Sequence, residues 1–217
     1  MMPPAVTLTA VLTGDLIGST EVAPAQVERS MSALADAAAF IARDSANPEN
    51  RFTRFRGDGW QMNLGFAGAA LRVAIYLNAV IRADPDCVPT RIAIGLGAVE
   101  SLGDEGLAAA RGTAFTHSGR ALDTMAPGQT LALVGETTDD LQRSLVDFIA
   151  DRMSGWSQEQ AEVIALKLRH GDASQQDLAV RLGITRQAVA ARLQAAGQGL
   201  IWRAATAFSD SHKRKAP

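Results

Sequence analysis

The apolar patterning of this chain changes character near residue 150, and that change limits the folds open to it. Before it, short β-branched apolar runs alternate with stretches in which apolar residues recur every three or four positions. From Gly155 onward only the helical spacing remains. The pattern predicts an α+β sheet-and-helix unit over 1–150, followed by a small all-α unit over 155–217. At 217 residues the chain is long enough for one or two domains with a sizeable core.

Residues 5–13, from Ala5 to Thr13, read as a buried strand stopping at a Gly14-Asp15 turn. Pro24 suits a first helical turn, and Val27, Met31, Leu34, Ala38 and Ile41 share one face of a helix reaching about Asp44. Two short strands, 51–56 and 59–66, flank Gly57-Asp58-Gly59, a strong hairpin signal. A helix over 69–83 and a strand over 90–99 follow, the latter with Ile92, Ile94 and Leu96 on one face. Residues 100–112 read as a mobile loop, 115–125 as a helix, 129–134 as a strand. A helix over 138–152 is expected, with Thr137 or Thr138 as its cap.

Net charge is -2, so the chain as a whole is no basic coat for a polyanion. The total hides a split. Residues 1–149 hold 11 Lys+Arg against 17 Asp+Glu, net -6, and the remainder holds 10 against 6, net +4. That asymmetry points the C-terminal part toward a polyanion. The terminal run His212-Lys213-Arg214-Lys215 is part of it, or is simply a solvated tail. One cysteine, Cys87, excludes an internal disulfide and a Cys-rich metal site. His117, His170 and His212 lack metal-ligand spacing, so zinc is not expected. Gly95-x-Gly97 is too short for a dinucleotide fingerprint. No apolar run approaches the ~20 residues of a membrane span. Met-Met-Pro-Pro lacks a basic n-region, so the expected location is the cytoplasm.

The segment Ser174–Leu193 carries the most specific local signal. Ser174 with Asp177 matches a capping box. Leu178 and Leu182 face inward, Gly183 permits a left-handed stop, and Ile184 fills the angle between two helices. Thr185 can cap a second helix, on which Val189 and Leu193 form the core stripe. This is the spacing of a helix-turn-helix. Double-stranded DNA is the partner it implies, through Arg186, Gln187, Ala190 and Gln194 in the major groove and Arg181 and Arg192 on phosphates. An oligomerising or polymerase-contacting helical module would show the same core spacing. A support helix over 157–169 should precede it, and a helix over 200–208 should follow, packing through Leu200, Trp202 and Ala205. One such module makes few phosphate contacts, so a homodimer is expected.

In the first unit, Asp15 ends one strand and Asp58 sits in a hairpin turn. If the strands are neighbours, the two carboxylates converge at one sheet edge and suit Mg2+ with a phosphate ligand. Equally, Asp15 can cap a turn, and Asp is common in hairpins such as that at Asp58. Four segments in order resemble class III nucleotidyl cyclases: Gly14-Asp15-Leu16-Ile17-Gly18-Ser19-Thr20, Arg54-Phe55-Arg56-Gly57-Asp58-Gly59-Trp60, Arg91–Val99 and Gly112–Arg120. The resemblance implies a ferredoxin-like, cyclase-like sheet that pairs head to tail. It makes Asp15 and Asp58 metal ligands and Arg54 a purine contact. It places Thr116 and Arg120 at the positions of an Asn and a transition-state Arg. Trp60 either packs on the hairpin or stacks on a base.

Two departures matter: Thr116 replaces the Asn, and Ala114 stands where a base-selecting polar residue is usual. Losing one donor to a developing phosphorane charge costs ~10²-fold or more. No catalytic residue is therefore assigned. The two-unit arrangement, with Gly57-Asp58-Gly59-Trp60-Gln61, also resembles SatD-type bacterial proteins. The expected function is a ligand-responsive DNA-binding transcriptional regulator whose cyclase-like domain binds a nucleotide or nucleotide second messenger, with Mg2+ as the cofactor. The alternative is an active cyclase with a helical localising module.

Overall fold

The structure is a computed structural model that describes residues 8–55, 57–104 and 106–213. The fold is α+β, built on a five-stranded mixed sheet. In chain order its strands are β1 (Thr9–Leu16), β2 (Arg51–Phe55), β3 (Gly59–Leu64), β4 (Thr90–Gly97) and β5 (Leu131–Gly135). The helices are α1 (Pro24–Ser45), α2 (Ala70–Ala83), α3 (Thr113–Asp123), α4 (Asp140–Ser154), α5 (Gln158–Arg169), α6 (Gln175–Leu182), α7 (Arg186–Ala196) and α8 (Gln198–Lys213). Sheet order is β2-β3-β1-β4-β5. Among the described residues only the β4–β5 pair is parallel.

Strand alternation gives the sheet two different faces. Ala10, Leu12 and Leu16, with Trp60, Met62 and Leu64 and Ile92, Ile94 and Leu96, form one buried cluster with α1 and α2. The opposite face carries α3, packed on Ala93 through Ala121 and Met125. Beyond α2 lies a third layer. The most extensive helix-to-helix packing joins α2 to α5. Ala161, Val163 and Ile164 of α5 are fully buried there, in one cluster that also takes in Leu178, Val189, Ile201 and Phe208. No helix among the described residues is long and apolar enough to cross a membrane.

Several expectations are corrected by tertiary contacts. Residues 5–7 lie outside the described part, and β1 does not stop at Gly14-Asp15 but runs on to Leu16. Gly14 sits mid-strand because a Cβ there would fall 2.5 Å from the Trp60 indole, which crosses β1 at that point. Loop 98–112 is not loose where described. Ser101 bridges Arg111, Arg51 donates to the Gly103 carbonyl (2.9 Å), and the Leu107 amide donates to Thr53 Oγ1 (2.9 Å). Leu107 is 2% exposed. On α8, Trp202 and Ala205 pack against the core as expected, Ile201 and Phe208 are fully buried, and only Leu200 of the expected positions points to solvent. His212 is buried against Phe208, 4.5 Å between ring centroids, so it belongs to α8 rather than to a solvated tail. Arg214 and Lys215 lie outside the described residues.

The cap of α4 is Asp139, not Thr137 or Thr138. Its carboxylate accepts from the Gln142 amide (2.8 Å), and Gln142 Oε1 accepts from the Asp139 amide (3.2 Å). Asp139→Ala removes that reciprocal cap and is expected to lower stability by about 0.5–2 kcal/mol in urea unfolding, with the native helical signal unchanged.

Candidate functional site

Asp15 and Asp58 do reach one cleft. It has a volume of about 520 Å³ and opens on the α3 side of the sheet. Thr13 and Gln61 lie on its floor, since β1 and β3 pair Thr13 with Gln61. Gln61 Nε2 donates to Thr13 Oγ1 (3.1 Å), and Thr13 and Ser118 hydroxyls meet at 2.7 Å. Phe55, Leu107, Phe115 and Leu122 supply the apolar walls.

Both carboxylates have partners, and both oxygens of Asp15 are engaged. Asp15 faces Arg91 across the β1–β4 register, and the guanidinium grips it bidentately: Nε to Oδ1 at 2.6 Å and a terminal nitrogen to Oδ2 at 2.7 Å. This hydrogen bonding raises the Arg91 pKa further. Asp58 Oδ2 accepts from the Ser19 hydroxyl, supplied by a short 3-10 turn after β1. A divalent cation would meet one carboxylate whose two oxygens already serve a guanidinium. Nor do any three His, Cys, Asp or Glu side chains among the described residues form a group that could hold a metal ion.

Of the other nucleotide-contact candidates, Trp60 borders the cleft but is enclosed, and Arg54, Thr116 and Arg120 lie outside its lining. Arg54 pairs in register with Trp60, so both project to the α1–α2 face, away from the cleft floor. Arg54 grips Glu28 of α1 with two contacts of 2.7 Å and donates from Nε to the Gly57 carbonyl (2.6 Å). That pairing holds the Glu28 carboxyl below its usual range and raises Arg54. Trp60 is 1% exposed. Its Nε1 donates to Thr90 Oγ1 (3.1 Å), and its ring stacks on Phe52 at 6.0 Å. An indole so enclosed offers no face to a base, which corrects the stacking expectation. Thr116 and Arg120 sit on the exposed side of α3, while Phe115 and Leu122 face the cleft. The residues missed from the sequence are thus Arg91, Ser19, Phe55 and Phe115.

The second candidate surface is α6 with α7. Ser174 and Asp177 form the expected capping box. Gly183 adopts φ 64°, ψ 29°, its amide donates to Val180 (3.4 Å), and the Ile184 amide reaches back to Ala179 (3.1 Å). These are the bonds of a left-handed helix stop. Thr185 Oγ1 accepts from the Ala188 amide (3.1 Å) and starts α7. Val189, Leu193 and Ala196 are buried. Arg186, Gln187, Ala191 and Gln194 are exposed and Ala190 partly so, which leaves an outward face with no acidic residue. Arg181 is exposed on α6. Arg192 instead lies toward α5, where it pairs with Glu162 at 3.4 Å.

No family model matches the sequence. No curated protein matches it either. Among solved structures, the chain is similar to the guanylyl cyclase Cya2, at 17% identity and a TM-score of 0.38, over 58% of this chain and 74% of that one.

Proposed function

We propose that this chain is a ligand-responsive DNA-binding regulator. Its α6–α7 pair is a helix-turn-helix that lays α7 in a major groove, and its sheet unit carries the ligand cleft. The observation that carries the reading is the outward face of α7. Two helices joined by a Gly183 stop hold Arg186, Gln187, Ala190 and Gln194 outward, with no carboxylate on α7 to repel phosphate. Arg186 and Gln187 head the helix, where side chains reach base edges, and Arg181 stands at its flank for backbone contact. Arg192 would have to exchange Glu162 for a phosphate, and so contributes less.

The cleft ligand is of nucleotide type: a flat ring between Phe55 and Phe115, with Gln61 and Asp58 as polar partners. It binds without a metal, because Arg91 holds Asp15. Thr116 and Arg120 project from the exposed side of α3, and this reading places them at the seam of a homodimer. The alternative reading is an active cyclase with a helical localising module, for which the shared cleft of Asp15 and Asp58 would serve equally.

Arg186→Ala and Gln187→Ala are each expected to cost about 1–3 kcal/mol on a selected operator and to relax its sequence preference. Arg181→Ala should weaken all duplexes alike and reduce the salt slope by about one. Fluorescence anisotropy against a selected duplex pool measures both. Equal affinity of the wild type and Arg186→Ala for every duplex would overturn the reading. Calorimetry against a nucleotide panel, with and without Mg2+, tests the cleft.

A further inference from the structure

A second cavity, of about 270 Å³, lies on the other side of the sheet, between α2, α5 and α8. Its floor is apolar: Ile75 of α2, Leu168 of α5, and Ile201 and Ala205 of α8. Two flat rings flank it, Phe66, which is 37% exposed, and Trp202. Arg72 stands at the mouth with its guanidinium 6.0 Å from the Trp202 ring centroid. Among the described residues no ion pair engages Arg72. The rim's one carboxylate, Asp210, pairs with Lys213 at 3.3 Å. Thr206 adds a hydroxyl beside them.

An apolar slot between aromatic rings, closed at one end by a cation without a carboxylate, is complementary to a small molecule of matching polarity. We propose that this cavity binds a compact aromatic carboxylate, its ring packed against Trp202 and Ile201 and its carboxylate on Arg72. The volume lies just below the usual range of about 300–1,000 Å³ and limits the ligand to one or two rings. Carboxylate and guanidinium match in planar, bidentate geometry, whereas a cation would meet Arg72 and Lys213 at the rim. The site is separate from the Asp15–Asp58 cleft and does not depend on DNA binding. It spans α2 of the sheet unit and α8, which follows α7 across the Gly197 turn, so an occupant touches both parts of the chain.

Calorimetry on the full chain without DNA tests it, with 1-naphthoate and its neutral counterpart 1-naphthalenemethanol as probes. The naphthoate is expected to bind at one saturable site and to change Trp202 fluorescence, a change lost in Trp202→Phe. Arg72→Gln should weaken naphthoate about ten-fold or more and leave the alcohol unaffected. Ala205→Phe fills the slot and should remove binding of both. Absence of saturable naphthoate binding, or equal binding by wild type and Arg72→Gln, overturns the proposal. If Ala205→Phe fails to fold, Arg72→Gln still decides, because Arg72 is an exposed side chain whose replacement leaves the core filled.

Discussion

Replacing Trp60 with alanine is expected to lower the unfolding free energy by about 3–5 kcal/mol, the range for emptying a buried aromatic site. The indole is fully enclosed among the residues that join the sheet to α1 and α2. It lies across Gly14, where no side chain is present to slump into the vacated space. The loss also breaks a short relay. Trp60 Nε1 donates to Thr90 Oγ1, and Thr90 Oγ1 donates at 2.8 Å to the Asp15 carbonyl. The relay fixes β1 beside β4 at the residue where Asp15 meets Arg91. Trp60→Phe keeps most of the volume and removes only the N–H, so its cost should be clearly smaller. Urea unfolding of both variants measures the difference. A Trp60→Ala protein as stable as the wild type would mean that the indole does not belong to the core. It would restore Trp60 as a candidate for ligand stacking.

Gly95→Ala is expected to cost about 3 kcal/mol, the upper end for overpacking, although it adds a single methyl group. A Cβ at Gly95 would stand 2.3 Å from the Ala114 carbonyl oxygen and 2.4 Å from the Ser118 amide nitrogen. Both are backbone atoms of α3, so no side-chain rotation relieves the clash and the whole helix must lift. Gly97 makes the same demand, with Thr113 Oγ1 at 2.4 Å and the Ala114 amide nitrogen at 2.7 Å. Lifting α3 moves Phe115 and Leu122 away from the cleft and separates Ser118 from Thr13. Under the proposed function, nucleotide binding at the cleft should therefore weaken together with stability in Gly95→Ala. Binding at the Arg72 cavity, on the other face of the sheet, should persist in whatever fraction stays folded. A neutral Gly95→Ala substitution would show that α3 sits farther from β4 than these distances require.

The glycine pair illustrates how far reading along the chain could go. Gly95 and Gly97 were legible as glycines without a nucleotide fingerprint, but their purpose lies in α3, which follows them in sequence and crosses them only in the folded chain. Trp60 was more legible than its assignment allowed. Trp60, Met62 and Leu64 alternate with Gln61 and Asn63, and that period alone places the indole inside. Arg54 had no such guide. In Arg51-Phe52-Thr53-Arg54-Phe55 both alternating sets mix polar and apolar residues, so the face of Arg54 was undetermined until β2 paired with β3.

What the sequence determined by itself is local. The extents of most strands and helices, the hairpin at Asp58, the Ser174–Asp177 capping box, the Gly183 stop and the outward residues of α7 depend on spacings of two to four residues, which the chain displays directly. Tertiary structure decided the partners of the charged groups. Asp15 and Arg91 are 76 positions apart, and they meet because β1 and β4 adopt one register out of several that alternation permits. Arg54 finds Glu28 on a helix that packs over its strand, and Arg192 finds Glu162 in the same way. A carboxylate's role depends on what stands within about 3 Å of it. That neighbour is set by packing between distant segments, whereas spacing along the chain fixes only the face on which a residue begins.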